Sequence, residues 1–212
     1  MGRFFNLDAP IWEWIGHIAD IIILSCIWWI CCIPIVTIGD ATTAFFYVMG
    51  KKIRQESTNV FKDFFKALKE NFMQSLGMNI IMLIAMFSMS IYIYMTFYSV
   101  MEKNNHMMWL LPITIIFAFE ILNIFTYAWA LLSRFHMKTK EIIKTAIIMT
   151  HKHLLTSLGN VCAFVIGFMI IYHVPLIVFC LPGIIITLSS VLIQKIFATY
   201  TDGDESSKSL AQ

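Results

Sequence analysis

Residues 111–134 read LPITIIFAFEILNIFTYAWALLSR, an apolar run that a proline opens and an arginine closes. Proline suits the first turn of a helix, because its missing N–H would have no partner there. Arginine and lysine mark the cytoplasmic end of a membrane-spanning helix. The run therefore predicts a helix that enters a membrane at Pro112 and leaves it at Arg134.

The same arrangement occurs twice more in the chain. Pro34 opens an apolar run that ends at Lys51, and Pro182 opens one that ends at Lys195. Each run follows another apolar segment, so the pattern predicts an all-α polytopic bundle of three up-down helical hairpins. The six predicted spans are 15–32, 35–50, 72–100, 109–133, 154–172 and 182–200.

The composition requires lipid. The chain is 59% hydrophobic and only 13% charged, which leaves too little polar surface to coat a soluble globule. We expect one integral membrane domain over residues 1–200 and a short polar cytoplasmic tail at 201–212. The net charge of +2 is spread over short loops, so the bilayer is an expected partner and nucleic acid is not.

Charge placement predicts the orientation. With both termini in the cytoplasm, 14 of the 15 lysines and arginines face the cytoplasm, and Lys103 is the exception. The weakest span is 35–50, because its 16 residues reach only about 24 Å and include Asp40. If it does not cross, the chain has five spans and an external N-terminus.

The connector between the second and third spans is amphipathic. Its apolar side chains recur at spacings of three and four with charged residues between them, which indicates a helix with one aromatic face. These residues are Phe61, Phe64, Phe65, Leu68 and Phe72. Such a helix either packs at the inner membrane surface or docks into a partner's groove. A second cytoplasmic connector, 138–153, repeats the pattern more weakly.

Glu120 is the most informative residue within a predicted span. A carboxylate at that depth is costly unless it is protonated, paired or hydrated. Asn123 and Tyr127 share its helical stripe, and Asn79 and Asn160 on neighbouring helices are candidate partners. This candidate intramembrane polar site serves either as a proton or solute path or as interhelical hydrogen bonds that fix packing.

The proline-led turns include a second carboxylate. Pro34, Pro112 and Pro182 are predicted structural turns, and Gly39 and Asp40 follow the first of them. A carboxylate at the start of a short helix can cap its free N–H groups and complement the helix dipole. We therefore predict a capping role for Asp40.

No motif for catalysis is present. The sequence has no phosphate-binding loop, no His-Glu-x-x-His, no Gly-x-Ser-x-Gly and no Cys-x-x-Cys. Glu13, His17 and Asp20 share a helical face, which we interpret as the polar side of a juxtamembrane helix rather than a metal site. The sequence predicts a non-enzymatic protein with no cofactor and no metal.

Three segments carry a family resemblance. PIVTIGDATTAFFY at 34–47, VFKDFFK at 60–66 and KENF at 69–72 resemble the YesL-like family of small integral membrane proteins of bacteria. Genes of this poorly characterised family often neighbour sugar-uptake ABC transporters. The resemblance therefore implies an auxiliary role in carbohydrate uptake at the plasma membrane. It implies no catalytic or binding residues, and Asp40 stands where small residues are more usual in the family.

Two functional hypotheses follow. The first is an accessory or regulatory partner of a bacterial ABC-type carbohydrate uptake system, which contacts importer subunits or regulators through the Phe61–Phe72 helix. The chain lacks the Glu-Ala-Ala-x-x-x-Gly loop of importer permeases, so it is not expected to be the permease. The alternative is a small solute or ion transporter or channel that uses the stripe around Glu120. It would act as a homo-oligomer, because six short spans enclose little volume.

Overall fold

The computed structural model describes residues 10–101 and 110–209, and over these ranges its regular elements are all helices. The α-helices are α1 Pro10–Cys31, α2 Ile38–Ile53, α3 Val60–Met101, α4 Leu110–Arg134, α5 Thr139–Lys152, α6 Leu154–His173 and α7 Leu181–Ser209. Single 3-10 segments, Ile35–Thr37 and Pro175–Phe179, precede α2 and α7. The all-α prediction is confirmed. The predicted turn at 102–108 lies outside the described residues.

Four of the described helices are long and apolar enough to cross a membrane. They are Val60–Ser99, Leu110–Arg134, Leu154–His173 and Leu181–Tyr200, and they match four of the six predicted spans. The predicted span 15–32 corresponds to a shorter apolar segment of α1, Ile15–Cys31. The predicted span 35–50 corresponds to α2, which is only 16 residues long and is not among the four.

Helix α3 is continuous over 42 residues, a length of about 63 Å at 1.5 Å per residue. The prediction of a separate connector helix that ends at Phe72 is therefore wrong. No proline lies in this part of the chain, and an isolated glycine such as Gly77 does not end a helix. All five charged residues of α3 lie within 60–70, so its first turns extend beyond a hydrocarbon core about 30 Å thick.

Helix α2 lies along the first half of α3. The backbone N–H of Gly39 donates to Asn79, and Lys51 pairs with Asp63, so α2 runs antiparallel to residues 63–79. Beyond that level α3 continues for 22 residues, or about 33 Å, to Met101. The turn before α2 and the end of α3 therefore lie at different heights, and the three predicted hairpins are not equivalent.

The buried core lies at the α2 end of the molecule. Ten of the sixteen residues of α2 are buried, as are Asn123 and residues 126–133 of α4. The halves of α3 and α4 that lie away from this core, residues 80–101 and 110–121, are joined by a 3.0 Å hydrogen bond between Thr96 and Thr114, and we call them the outer hairpin. Its large apolar side chains are mainly exposed, which suits a surface that faces lipid.

Helix α5 folds back along α4 and is not a flat interfacial connector. It begins five residues after Arg134 and ends beside Glu120, which lies 14 residues, or about 21 Å, earlier on α4. Its apolar face, which includes Ile142 and Ala146, is buried against the core. The amphipathic pattern of 138–153 therefore serves packing within the protein.

Candidate functional site

The start of α2 is held by polar side chains of α3. Asn79 accepts the N–H of Gly39 at 3.1 Å and donates to the carbonyls of Ile35 and Val36 at 3.1 and 2.9 Å. These bonds satisfy backbone groups that a helix start leaves free. The oxygen that caps Gly39 therefore belongs to Asn79, on another helix, and not to Asp40.

Asp40 is a buried carboxylate with one oxygen unpaired. Ser75 donates to its Oδ1 at 2.7 Å, and its side chain is 99% removed from solvent. Its Oδ2 has no hydrogen-bond partner among the described residues. Its place in the first turn of α2 still suits the helix dipole. Close packing around it continues at Gly39, where the ring of Trp129 leaves no room for a Cβ.

The far end of α2 is closed by a local motif and by ion pairs. The N–H groups of Gln55 and Glu56 donate back to the carbonyls of Lys52 and Lys51, which is a Schellman motif. Gln55 adopts a φ of 57°, a left-handed conformation for which glycine is the usual residue.

Two lysines of α2 then anchor neighbouring helices. Lys51 bonds Asp63 of α3 at 3.0 Å, and Lys52 pairs with Asp20 of α1. Asp20 is one of the three residues that share a face on α1. Among the described residues, no group of three or more histidine, cysteine or acidic side chains is placed to hold a metal ion.

Glu120 meets a residue that sequence analysis did not assign to it. His151, at the end of α5, places its Nε2 atom 3.4 Å from Glu120 Oε1. The Glu120 side chain is 26% exposed and that of His151 is 61% exposed. This carboxylate therefore lies in a partly open environment beside a titratable partner.

A buried polar group lies between α4 and α6. Asn123 and Tyr127 of α4 are fully buried. The Tyr127 hydroxyl is within hydrogen-bonding reach of the Ser157 and Thr156 hydroxyls of α6. Asn160 is one turn further along α6 and is also fully buried. Because α4 and α6 run antiparallel here, the turns that hold Asn123 and Asn160 lie at a similar height.

Several atoms of this group lack partners. Asn123 donates to the carbonyl of Phe119, but its Oδ1 and both polar atoms of the Asn160 side chain have no hydrogen-bond partner among the described residues. Buried polar atoms are normally hydrogen-bonded, so such exceptions point to bound water or solute.

The five predicted site residues thus separate into three places. Asn79 caps α2 and does not join the stripe, and Glu120 pairs with His151. Asn123, Tyr127 and Asn160 form the buried group. Ser75 and His151 were missed; Ser75 lies four residues before Asn79, and that polar spacing in an apolar run could have identified it.

The predicted docking helix is divided between core and surface. Phe64 is fully buried and Leu68 packs against the core. Phe61, Phe65 and Phe72 remain 55%, 52% and 39% exposed and lie on one side of α3. We call these three residues the aromatic face.

The predicted turn prolines lie at or just before helix starts. Pro112 and Pro182 are in the first turns of α4 and α7, and Pro34 precedes the 3-10 segment that leads into α2. The rings of Trp29 and Phe179, 6.1 Å apart, bring the turn after α1 close to the turn before α7.

Comparison with known proteins finds a family similarity over part of this chain. Residues 21–94 match the family described as "Protein of unknown function, DUF624". No curated protein and no solved structure matches the chain. The matched range contains α2, the Asn79 contacts and the aromatic face. YesL-like proteins belong to DUF624, so the resemblance found at residues 34–72 is confirmed by the match over residues 21–94.

Proposed function

We propose that this protein is a non-enzymatic, multi-pass protein of the bacterial plasma membrane that serves a carbohydrate uptake system of the ABC type as an accessory or regulatory subunit. The membrane setting is supported by the four long apolar helices. The link to carbohydrate uptake is supported by the YesL-like resemblance alone. The partner role is supported by the aromatic face.

The aromatic face is the observation that carries the proposal. Because α3 is one continuous helix whose charged residues all lie in its first turns, Phe61 and Phe65 lie on the part that extends beyond the hydrocarbon core. Large exposed aromatic side chains in that position mark a surface that another molecule covers. Three lysines line one edge of the face, at positions 62, 66 and 69, which favours a partner groove with an acidic rim.

Purification in mild detergent tests the role. Tagged protein should recover importer subunits or a regulator. The double variant Phe61→Ser and Phe65→Ser should recover at least about tenfold less of this partner. The matched control is Phe87→Ser with Phe97→Ser, which removes two phenylalanines of similar exposure from the outer hairpin of the same helix. Equal recovery with both double variants, at equal membrane insertion, would contradict the docking role.

The proposed orientation places both termini and the charged helix ends in the cytoplasm. A reporter fused near residue 8 should give a cytoplasmic signal. A signal on the outer side would favour the five-span alternative. The six-span and the five-span topologies both keep Lys51 and Lys52 in the cytoplasm, so the docking test does not depend on this result.

A second candidate is a small transporter or channel, and the unpartnered side-chain atoms of Asn123 and Asn160 favour it. Buried amide atoms without partners suit a hydrated path. The test is solute flux in liposomes that contain only this protein. Transport is supported if the unaltered protein moves solute, Asn160→Leu abolishes this flux and the control Asn71→Leu keeps it. A pure protein that moves no solute would contradict it.

A further inference from the structure

Two arginines from distant parts of the sequence meet at one glutamine. Arg134 at the end of α4 donates to Gln194 Oε1 at 2.7 Å, and Arg54 after α2 donates to the same oxygen at 3.4 Å. Gln194 lies on α7 and is 92% buried. Both guanidinium groups are therefore oriented by a single neutral acceptor.

The surrounding packing fixes this arrangement. The Arg134 guanidinium lies 5.5 Å from the ring centres of both Phe135 and Phe197, which favours stacking with both rings. Gly50 lies directly against Gln194, where a Cβ would collide with the amide. The site is assembled from α7 and the ends of α2 and α4.

The site carries more positive than negative charge. Glu56 bonds Arg54 at 2.5 Å, but among the described residues no carboxylate pairs with Arg134, which is only partly exposed. A guanidinium group has five N–H donors, and Arg134 uses one of them on the described protein atoms. Two adjacent guanidinium groups with free donors match the oxygens of a phosphate group.

We propose that Arg54 and Arg134, positioned by Gln194, bind the phosphate group of an anionic ligand. This inference is independent of the aromatic face. In the proposed orientation both arginines lie at the cytoplasmic ends of their helices, so the headgroup of an anionic phospholipid is one source of this phosphate. Free phosphate is the other source, and the two are separated by experiment.

Thermal unfolding in detergent measures the binding. Added phosphatidylglycerol should raise the unfolding midpoint more than phosphatidylcholine does, and the double variant Arg54→Gln and Arg134→Gln should lose this difference. Its affinity for phosphatidylglycerol should fall about tenfold or more. Lys140→Gln removes one exposed positive charge elsewhere and should keep the full difference.

Further measurements separate the two phosphate sources and test the proposal itself. Inorganic phosphate that stabilises the protein without phosphatidylglycerol assigns the site to free phosphate, whereas stabilisation by the lipid alone assigns it to the headgroup. If the double variant does not fold, Arg134→Lys keeps the charge but loses the planar donor pair, and it should weaken the selective stabilisation. A lipid response in these variants equal to that of the unaltered protein would overturn the proposal.

Discussion

Helices α2 and α4 both have a proline before or within their first turn, carry basic residues in their last turn and contain one carboxylate, yet they occupy opposite environments. Helix α2 has ten of sixteen residues buried, whereas the outer half of α4 is largely exposed. Asp40 on α2 is almost fully buried, and Glu120 on α4 is partly open beside His151. The difference shows that neighbours in space, rather than proline-led hydropathy, determine whether such a helix faces protein or lipid.

The largest expected effect is at the packed helix. Phe45→Ala on α2 should lower the free energy of unfolding by about 3–5 kcal/mol, because this side chain is fully buried and its removal leaves a cavity. Phe117→Ala on α4 is the matched change at a 59% exposed position and should alter it by about 0.5 kcal/mol or less. Thermal unfolding in detergent measures both changes. A similar loss of stability in the two variants would contradict the inference that α2 is packed in the core and the first half of α4 is exposed.

The next effect concerns what holds α2 in place. Asn79→Ala should cost about 2–3 kcal/mol, since it removes three hydrogen bonds, two to the segment before α2 and one to Gly39 in its first turn, at about 1 kcal/mol each. Asn71→Ala is the control on the same helix, because its amide donates only within α3. An equal and small effect of both changes would mean that α2 does not need this anchor.

The next comparison is between the carboxylates Asp40 and Glu120. Neutralising the buried one should stabilise the protein, by less than the losses expected for Phe45→Ala and Asn79→Ala. At pH 8, Asp40→Asn should raise the free energy of unfolding by about 1 kcal/mol, because burying an ionised carboxylate, or protonating it at that pH, costs more than burying an amide. Glu120→Gln should change it by about 0.5 kcal/mol or less, since Glu120 is partly exposed. Unfolding midpoints of the two variants at one pH make the comparison. Destabilisation by Asp40→Asn would show that the protein needs the charge.

The smallest effect lies at the end of α2. Gln55→Gly should stabilise the protein by about 0.5–1 kcal/mol, because glycine has no Cβ to oppose the left-handed conformation of the helix cap. Gln55→Ala keeps the Cβ and should leave the midpoint almost unchanged. If alanine stabilises as much as glycine, the benefit arises from the lost side chain and not from the backbone.

Local sequence predicted the helices well and their partners poorly. The prolines and the uncharged runs correctly indicated where α4, α6 and α7 lie. The same pattern predicts a boundary in α3 at Phe72, because the sequence changes there from amphipathic to fully apolar. The helix continues there, since a change of surroundings does not interrupt backbone hydrogen bonds.

The polar site was less predictable for a related reason. The stripe of Glu120, Asn123 and Tyr127 follows from helical spacing, and the burial of the last two residues agrees with it. Their partners do not follow from spacing. Asn79 bonds a residue 40 positions earlier, and Arg54 meets Gln194 across 140 positions. Such pairings depend on how helices pack, which the periodicity of any one helix does not contain.

The sequence by itself determined that this protein is helical, rich in lipid-compatible surface and punctuated by prolines at or before helix starts, because composition and backbone chemistry act locally. The tertiary structure alone decided that α2 is enclosed by α1, α3, α4 and α7, that Asp40 is the buried carboxylate, and that two arginines converge on Gln194. Burial and charge pairing are properties of neighbours brought together from distant segments, and only the packed fold defines those neighbours.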